Sequence, residues 1–267
     1  MPISIITRSK KSSELRDLLI NISDIKNIEL EIIAVCIEKD ESYNNIQNLK
    51  IIIENSQRFH ARITGIKNAN YKNILLLDSD QLISEDLLNE LDKRKEDMII
   101  IPEKSYNKNL TGKLMDDLRF RMERWAQKET TPEISVIPRF YKTNIIKNIV
   151  EHLDEKLIDN IIFHEDSTLY YEVFKKTHNI GFAKNYIYNY DPDLIMFIKK
   201  SYKYGRNYKD IKSFTEYKDI ITLNNKININ SFNLKELGIG KGEIILIIRA
   251  IAHLFGYFFR STANQDE

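Results

Sequence analysis

The stretch NILLLDSDQLIS, residues 73–84, holds the pattern from which the architecture of this chain follows. The four apolar residues Ile74–Leu77, together with Asn73 before them, are predicted to form a buried β-strand, which leads directly into Asp78-Ser79-Asp80. Because side chains alternate along a strand, the two acids are expected on one side, roughly 6–7 Å apart. Two carboxylates placed in this way repel each other unless a cation lies between them.

Further apolar runs and segments of helical periodicity alternate along the first hundred residues. The runs predicted to be strands are Ile3–Thr7, Leu30–Ile37, Leu49–Ile53 and Met98–Ile101. Continuous apolar strands that alternate with helices are typical of an α/β protein, with a mostly parallel sheet covered on both faces. In such a sheet the ligand lies beyond the carboxyl ends of the strands, which is where Asp78 and Asp80 are expected.

The chemistry of the two acids indicates a metal ion and a phosphorylated substrate. Mg²⁺ and Mn²⁺ bind through one or two carboxylates and take substrate phosphate oxygens as further ligands. The spacing of Asp78 and Asp80 therefore favours a nucleotide diphosphate as substrate. A polar turn that merely ends the strand is the alternative, since an Asp-x-Asp sequence also arises by chance.

Composition limits the classes of function. The 267 residues, 42% of them hydrophobic, suffice for one large domain or one domain with an appendage. The net charge of +1 shows no basic excess of the kind that a general nucleic-acid binder carries. Cys36 is the one cysteine, which excludes an intrachain disulfide and favours a small buried side chain.

The stretch from Phe59 to Asp80 resembles the nucleotide-binding half of inverting family 2 glycosyltransferases, whose pattern is A-R-N-x-G-x-x-x-A, an apolar strand and D-x-D. The matching residues are Ala61, Arg62, Gly65, Ala69, Asp78 and Asp80. Ile63 departs from the pattern, because the family usually has Asn there. The resemblance covers roughly residues 1–210 and implies the GT-A fold, a Rossmann-like α/β arrangement with a C-terminal helical extension.

The resemblance also implies roles for residues at the nucleotide side. Arg62 is expected to face the nucleotide or its diphosphate, Asp78 to lie near the ribose and the metal, and Asp80 to ligate Mg²⁺ or Mn²⁺. Thr7 and Arg8 end the first strand, which touches the nucleotide in this family.

The second strand departs from the family. Cys36 stands where the family places an acid against the nucleobase, and Glu38 is the expected substitute. The choice between a UDP- and a GDP-sugar donor therefore stays open.

Three later segments resemble the acceptor half of the same family. Pro138-Arg139-Phe140-Tyr141 is similar to the strand that precedes it, and Tyr204-Gly205-Arg206 is similar to an element that binds the diphosphate or shapes the acceptor site. Glu165-Asp166 resembles the E-D motif, whose Asp is the catalytic base, so Asp166 is expected to deprotonate the acceptor hydroxyl. Helix capping by Glu165 and Asp166, and a solvated basic helix around Arg206, are the alternatives. His164 is expected as a metal ligand, an acceptor contact or a packed side chain.

The predicted organisation is a GT-A domain over residues 1–190, a helical extension over 191–241, and an amphipathic helix and tail over 242–267. Within the domain, residues 1–102 form the nucleotide-sugar half and residues 103–190 the acceptor half. The run IILIIRAIAHLFGYFF, residues 244–259, is apolar but shorter than the ~20 residues that span a bilayer. Peripheral contact with the cytoplasmic face of the cell membrane through residues 243–260 is the leading interpretation. Packing on the chain's own domain, or a homodimer, are the alternatives.

The combined expectation is a metal-dependent, inverting, cytoplasmic glycosyltransferase. It would move a sugar from a nucleotide-diphosphate sugar to a hydroxyl of a glycan or lipid-linked acceptor, without a nucleic-acid partner. Two other classes of protein stay open: a nucleotidyltransferase that uses the same acids, and a non-catalytic protein that binds sugar nucleotides. Release of pyrophosphate rather than a nucleoside diphosphate would identify the first of these.

Overall fold

The computed structural model describes residues 2–39, 46–127, 137–161, 165–211 and 241–258, without the side chains of Trp125, Asn160 and residues 207–211. His164, residues 212–240 of the predicted helical extension and the tail after residue 258 lie outside these ranges.

Ten strands occur in the described ranges: β1 Ile3–Lys11, β2 Leu30–Glu38, β3 Leu49–Ile53, β4 Asn73–Leu76, β5 Gln81–Leu82, β6 Met98–Ile100, β7 Glu103–Ser105, β8 Phe140–Lys142, β9 Ile180–Phe182 and β10 Ile187–Asn189. The helices described are α1 Arg16–Ser23, α2 Arg58–Asn68, α3 Glu85–Asp92, α4 Leu110–Ala126, α5 Thr143–His152, α6 Glu155–Asn160, α7 Glu165–Phe174, α8 Leu194–Ile211 and α9 Glu243–Phe258. A 3₁₀ turn, Ser12–Leu15, leads into α1.

Seven strands form the main sheet, in the order β3-β2-β1-β4-β8-β6-β9. All neighbouring pairs are parallel except those of β8, which runs antiparallel to both β4 and β6. A second sheet has three strands, in the order β5-β10-β7, and its strand β5 comes directly after the turn that follows β4. The predicted mostly parallel α/β sheet flanked by helices is confirmed.

Two hydrophobic cores cover the two faces of the main sheet. One contains apolar side chains of α1 and α3, among them Leu18 and Leu88, packed with β-strand residues such as Ile5. The other contains side chains of α2, α5, α6 and α7, among them Phe59 and Ile146. Burial on both faces explains why the central strands consist of continuous apolar runs rather than alternating ones.

The segment that follows β4 contains a turn and then leads, through the short strand β5, into helix α3. Ser84 caps α3, since its Oγ accepts a hydrogen bond of 3.2 Å from the backbone N–H of Leu87. Strand β4 is shorter than predicted and ends at Leu76. Asp78 and Asp80 therefore lie in a turn, closed by a hydrogen bond of 3.1 Å from Gln81 N to the Asp78 carbonyl oxygen. Their predicted strand-like alternation is wrong for this reason.

Helices α8 and α9 cross in close backbone contact at two glycines. A Cβ at Gly205 would lie 2.0 Å from the carbonyl oxygen of His253, and a Cβ at Gly256 would lie 2.1 Å from that of Tyr202. Only a residue without a Cβ permits so close an approach. A small third core joins α9 to α4 through Ile245 and neighbouring apolar residues. No helix in the described ranges is long and apolar enough to cross a membrane.

Candidate functional site

Charged side chains from six segments of the chain converge beside the carboxyl end of β4. Four arginines and four acids take part, and we call this set the charge cluster: Arg8, Arg58, Arg62, Arg139, Asp78, Glu103, Glu165 and Asp166. So many ionised groups persist in a largely buried place only when each is paired.

Asp78 is the acid that contacts the most arginines. Its Oδ1 lies 3.0 Å from Arg62 Nη2 and 3.6 Å from Arg8 Nη2, and its Oδ2 lies 3.3 Å from Arg139 Nη2. Burial acts to raise the pKa of Asp78, but the charges of Arg139, Arg62 and Arg8 outweigh it and hold that pKa well below its usual range. Asp78 is therefore a fixed anion whose two oxygens both face guanidinium groups.

Arg62, on α2, is completely buried and links two acids that are far apart in the sequence. Its Nη2 contacts Asp78 Oδ1 and lies 3.2 Å from Asp166 Oδ1, while its Nη1 donates to the Leu77 carbonyl oxygen at 3.3 Å. A guanidinium that is 0% exposed contacts these carboxylates rather than solvent. Its expected contact with a nucleotide stays a prediction, and the contacts present are those of a positioning residue.

Asp166 lies in the first turn of α7, as the sequence indicates, and is held from two sides. Arg139 Nη1 lies 3.1 Å from its Oδ2, opposite the Arg62 contact. Its side chain is 18% exposed, so the carboxylate is fixed in direction yet accessible from one side. A group in this arrangement can accept a proton from a hydroxyl that reaches its open side.

Glu165 precedes Asp166 and turns toward the first strand. Arg8 Nη2 donates to its Oε1 at 2.8 Å, and Arg58 Nε lies 3.8 Å from the same oxygen. Burial and the neighbouring positive charges of Arg62 and Arg58 lower the pKa of Arg8. The dipeptide Glu165-Asp166 thus places adjacent acids on different arginines, which is more than helix capping requires.

Asp80 lies in a different environment from Asp78. Its side chain is exposed and forms no salt bridge with a described residue. Partial desolvation and the negative charge of Asp78 raise the pKa of Asp80, and the positive charge of Lys200 offsets part of this increase. A divalent ion at Asp80 would relieve the repulsion between the two carboxylates, so this residue fits a metal ligand.

The remaining ligands of such an ion would have to come largely from elsewhere. No group of three or more His, Cys, Asp or Glu side chains that could hold a metal occurs in the described part of the chain. Mg²⁺ and Mn²⁺ sites that use one or two carboxylates are completed by phosphate oxygens and water. The donor set at Asp80 and Asp78 is therefore compatible with an ion that binds together with a phosphorylated substrate.

The other residues predicted at the nucleotide side form no ion pair with the charge cluster in the part of the chain that the structure describes. Thr7 is fully buried on β1, and its hydroxyl has no hydrogen-bond partner among the described residues. Glu38 is exposed at the end of β2, where its Oε2 lies 3.7 Å from Lys11 Nζ. Cys36 is buried, and burial raises the pKa of its thiol to about 11, so a neutral thiol stands where the family has an acid.

Helix α8 also approaches the site. Tyr204 is hydrogen-bonded to Arg58 of the charge cluster, and the charge of Lys200 acts on Asp80. Arg206 lies two residues beyond Tyr204, near the contact with Gly256 of α9, and is not among the ion pairs of the cluster. Its proposed contact with a diphosphate stays a prediction.

Sequence reasoning did not assign a role to Arg139, Glu103 or Arg58. Arg139 Nη2 lies 3.3 Å from Glu103 Oε1, and Arg139 therefore connects three acids from three elements. For Arg139 the sequence did offer a clue, because in Pro138-Arg139-Phe140-Tyr141 an arginine stands immediately before an apolar strand. Glu103 follows Pro102 at a strand start, a position with no distinguishing sequence pattern.

Comparisons with known proteins place this geometry in a known fold. No family model matches the chain, and no curated protein matches its sequence. S. aureus TarS 1–349 in complex with UDP-GlcNAc superposes with a TM-score of 0.53 at 16% identity, over 96% of this chain and 82% of that one. The complex of the same protein with UDP gives 0.54 at 19% identity, over 94% and 81%.

A third solved structure is that of a mannosyltransferase. The mannosyltransferase PcManGT from Pyrobaculum calidifontis, in complex with GDP-Man and Mn²⁺, gives a TM-score of 0.54 at 13% identity, over 94% of this chain and 73% of that one. At sequence identities this low, the structural similarity shows a shared fold only. The expected resemblance to the GT-A fold is thereby confirmed.

Proposed function

We propose that the chain is a metal-dependent, inverting glycosyltransferase that uses a nucleotide-diphosphate sugar. One observation carries the proposal: Arg62 and Arg139 both join Asp78, at the turn after β4, to Asp166, at the start of α7. A donor-side acid and a candidate base are thus held in one cluster. Solved structures of this fold in complex with UDP-GlcNAc, and with GDP-Man and Mn²⁺, support the same class of donor.

The proposed reaction is a single displacement. The acceptor hydroxyl oxygen attacks the anomeric carbon from the face opposite the leaving group, the bond from that carbon to the diphosphate oxygen breaks, and configuration inverts. Asp166 takes the hydroxyl proton on its open side, and the nucleoside diphosphate leaves with the bonding electron pair. A divalent ion held by Asp80, with help from Asp78, would neutralise the leaving diphosphate as a Lewis acid.

The arginines of the cluster position the reacting groups rather than react. Arg62 and Arg139 fix the direction of the Asp166 carboxylate, and the same two residues hold Asp78 in place. Fixed geometry of this kind accounts for much of enzymatic rate enhancement, because small misplacements of a reacting group are costly. Thr7, Arg8, Glu38 and Arg206 are the proposed further contacts of the nucleotide and its diphosphate.

The acceptor in this proposal is a hydroxyl of a glycan or of a lipid-linked saccharide. The acceptor half, residues 103–190, supplies Glu103, Arg139 and Asp166 to the cluster. Helix α8, from the extension over residues 191–241, approaches the same place through Lys200 and Tyr204.

Product analysis tests the proposal. The full chain is incubated with UDP- and GDP-sugars, with and without Mn²⁺ or Mg²⁺, and the released products are separated. The expected result is metal-dependent release of a nucleoside diphosphate. Release of pyrophosphate would assign the chain to nucleotidyltransferases, and tight nucleotide binding without any turnover across the donors would assign it to non-catalytic binding proteins.

A further inference from the structure

Helix α9 presents an apolar stripe to solvent. Six of its large hydrophobic side chains are between 51% and 71% exposed: Ile244, Ile247, Ile251, Leu254, Phe255 and Phe258. At the helical repeat these positions fall within an arc of about 100°, the width that normally faces a core. The opposite side of the helix, with Ile245, Ala252 and Gly256, is the side buried in the protein.

Exposed hydrophobic side chains are concentrated in this part of the molecule. Nine of the fourteen large hydrophobic side chains that are exposed in the described ranges belong to α8 and α9, the other three being Ile195, Met196 and Ile198. Scattered exposed apolar residues need no explanation, but a concentration on two touching helices marks an interaction surface.

The same two helices carry a local excess of positive charge. Residues 194–206 contain Lys199, Lys200, Lys203 and Arg206 and no acid, and residues 243–258 add Arg249. Glu243, the one acid in those two stretches, is paired with Arg121 of α4. The net charge of the whole chain is only +1, so the positive charge is concentrated on these two helices and is not a property of the chain as a whole.

We propose that the exposed side chains of α8 and α9, here called the apolar–basic surface, dock onto the surface of an anionic phospholipid bilayer. An amphipathic helix whose apolar side enters the headgroup boundary, with cations beside it, is the arrangement that binds such surfaces. A second copy of the chain fits less well, because it would bring a like-charged set of lysines and arginines against this one.

Docking through this surface would place lipid close to the charge cluster. Helix α8 bears the exposed Ile195 and Ile198. It also bears Tyr204, which is hydrogen-bonded to Arg58 of the cluster, and Lys200, whose charge acts on the neighbouring Asp80. Given the proposed function, a saccharide linked to a lipid would reach the site without leaving the membrane. The docking itself does not depend on that function.

Vesicle sedimentation tests the docking with the full chain. Vesicles of phosphatidylcholine with phosphatidylglycerol are compared with phosphatidylcholine alone. We expect binding to the anionic vesicles that is at least tenfold stronger and that weakens as salt is added. The double variant Ile251→Ser/Phe255→Ser should lose at least tenfold, and Lys199→Glu/Lys203→Glu should lose about tenfold on anionic vesicles only.

A matched control is available elsewhere on the surface. Ile20→Ser/Ile53→Ser removes two side chains that are 48% and 50% exposed on α1 and β3, and it should pellet like the unaltered chain. Equal pelleting of the Ile251→Ser/Phe255→Ser variant would overturn the proposal. A dimer detected by light scattering would also overturn the proposal, if the Ile251→Ser/Phe255→Ser variant no longer forms that dimer but still binds vesicles.

Donor turnover, measured in the same variants without vesicles, separates the two proposals. Normal turnover with lost vesicle binding is the expected result for Ile251→Ser/Phe255→Ser. Vesicle binding without nucleoside diphosphate release in the unaltered chain would contradict the proposed function and leave the docking intact.

Discussion

Arg139 Nη1 lies 3.1 Å from Asp166 Oδ2, although 27 residues separate the two in the chain. The same guanidinium contacts Asp78 and Glu103 through Nη2. The acid at the turn after β4 and the acid at the start of α7 therefore share an arginine from the start of β8.

Replacing Asp166 with Asn should lower turnover by ~10²–10⁴, because an amide cannot take the acceptor proton. Nucleotide binding, measured by calorimetry, should stay within a few-fold of normal. Asp159→Asn is the matched control, since Asp159 is an exposed acid on α6 paired with His60, and it should leave turnover unchanged. Full turnover in Asp166→Asn would remove Asp166 from the role of base.

Replacing Asp80 with Ala should abolish the metal dependence of nucleotide binding, since Asp80 is the exposed acid proposed to hold the ion. The measurement is nucleoside diphosphate affinity with Mn²⁺ and with a chelator. In Asp86→Ala, which alters an exposed acid in the first turn of α3, the metal effect should persist. An undiminished metal effect in Asp80→Ala would assign the ion to other ligands.

Replacing Arg139 with Lys keeps the positive charge and removes the planar fork that reaches several acids at once. We expect kcat to fall by about tenfold to a hundredfold with little change in the KM for the donor, because a misdirected base affects the chemical step. Arg121→Lys breaks a comparable set of contacts to Asp117 and Glu243, away from the cluster, and should preserve kcat. A rise in KM alone would instead indicate that Arg139 binds the donor.

Replacing Arg62 with Met should destabilise the fold by about 3–5 kcal/mol, because it leaves the carboxylates of Asp78 and Asp166 short of a buried partner. Chemical denaturation measures this free energy of unfolding. Lys11→Met removes one partner of an exposed pair with Glu38 and should cost at most about 1 kcal/mol. Similar losses in the two variants would mean that the cluster contributes little to stability.

The depressed pKa of Asp78 predicts how stability depends on pH. Its carboxyl has a lower pKa in the folded than in the unfolded chain, so its contribution is present above the unfolded value, about 3.9, and is lost as pH falls below that. Between pH 4 and 2 the free energy of unfolding should decline more steeply in the unaltered chain than in Asp78→Asn, by up to about 1.4 kcal/mol per pH unit. Parallel declines would show that the ion pairs do not stabilise the folded state.

The sequence by itself determined the sheet and the order of its motifs. Continuous apolar runs such as Ile74–Leu77 have no polar side to expose, so they specify strands buried on both faces, and acids that follow them must lie at the sheet edge. Arg62, Asp78 and Asp166 were predicted as site residues from local spacing and from the family resemblance.

Only the tertiary structure decided which charges meet. Ion pairs between residues far apart in the chain depend on how β4, β8, α2 and α7 pack. Spacing along the sequence gives no information about the distances between these elements in the folded protein. Arg139 and Glu103 became visible as members of the cluster only in this way, and Arg62 proved to be buried between two acids. The early end of β4 likewise separated the fixed anion Asp78 from the exposed Asp80, because a turn, unlike a strand, lets neighbouring acids take different environments.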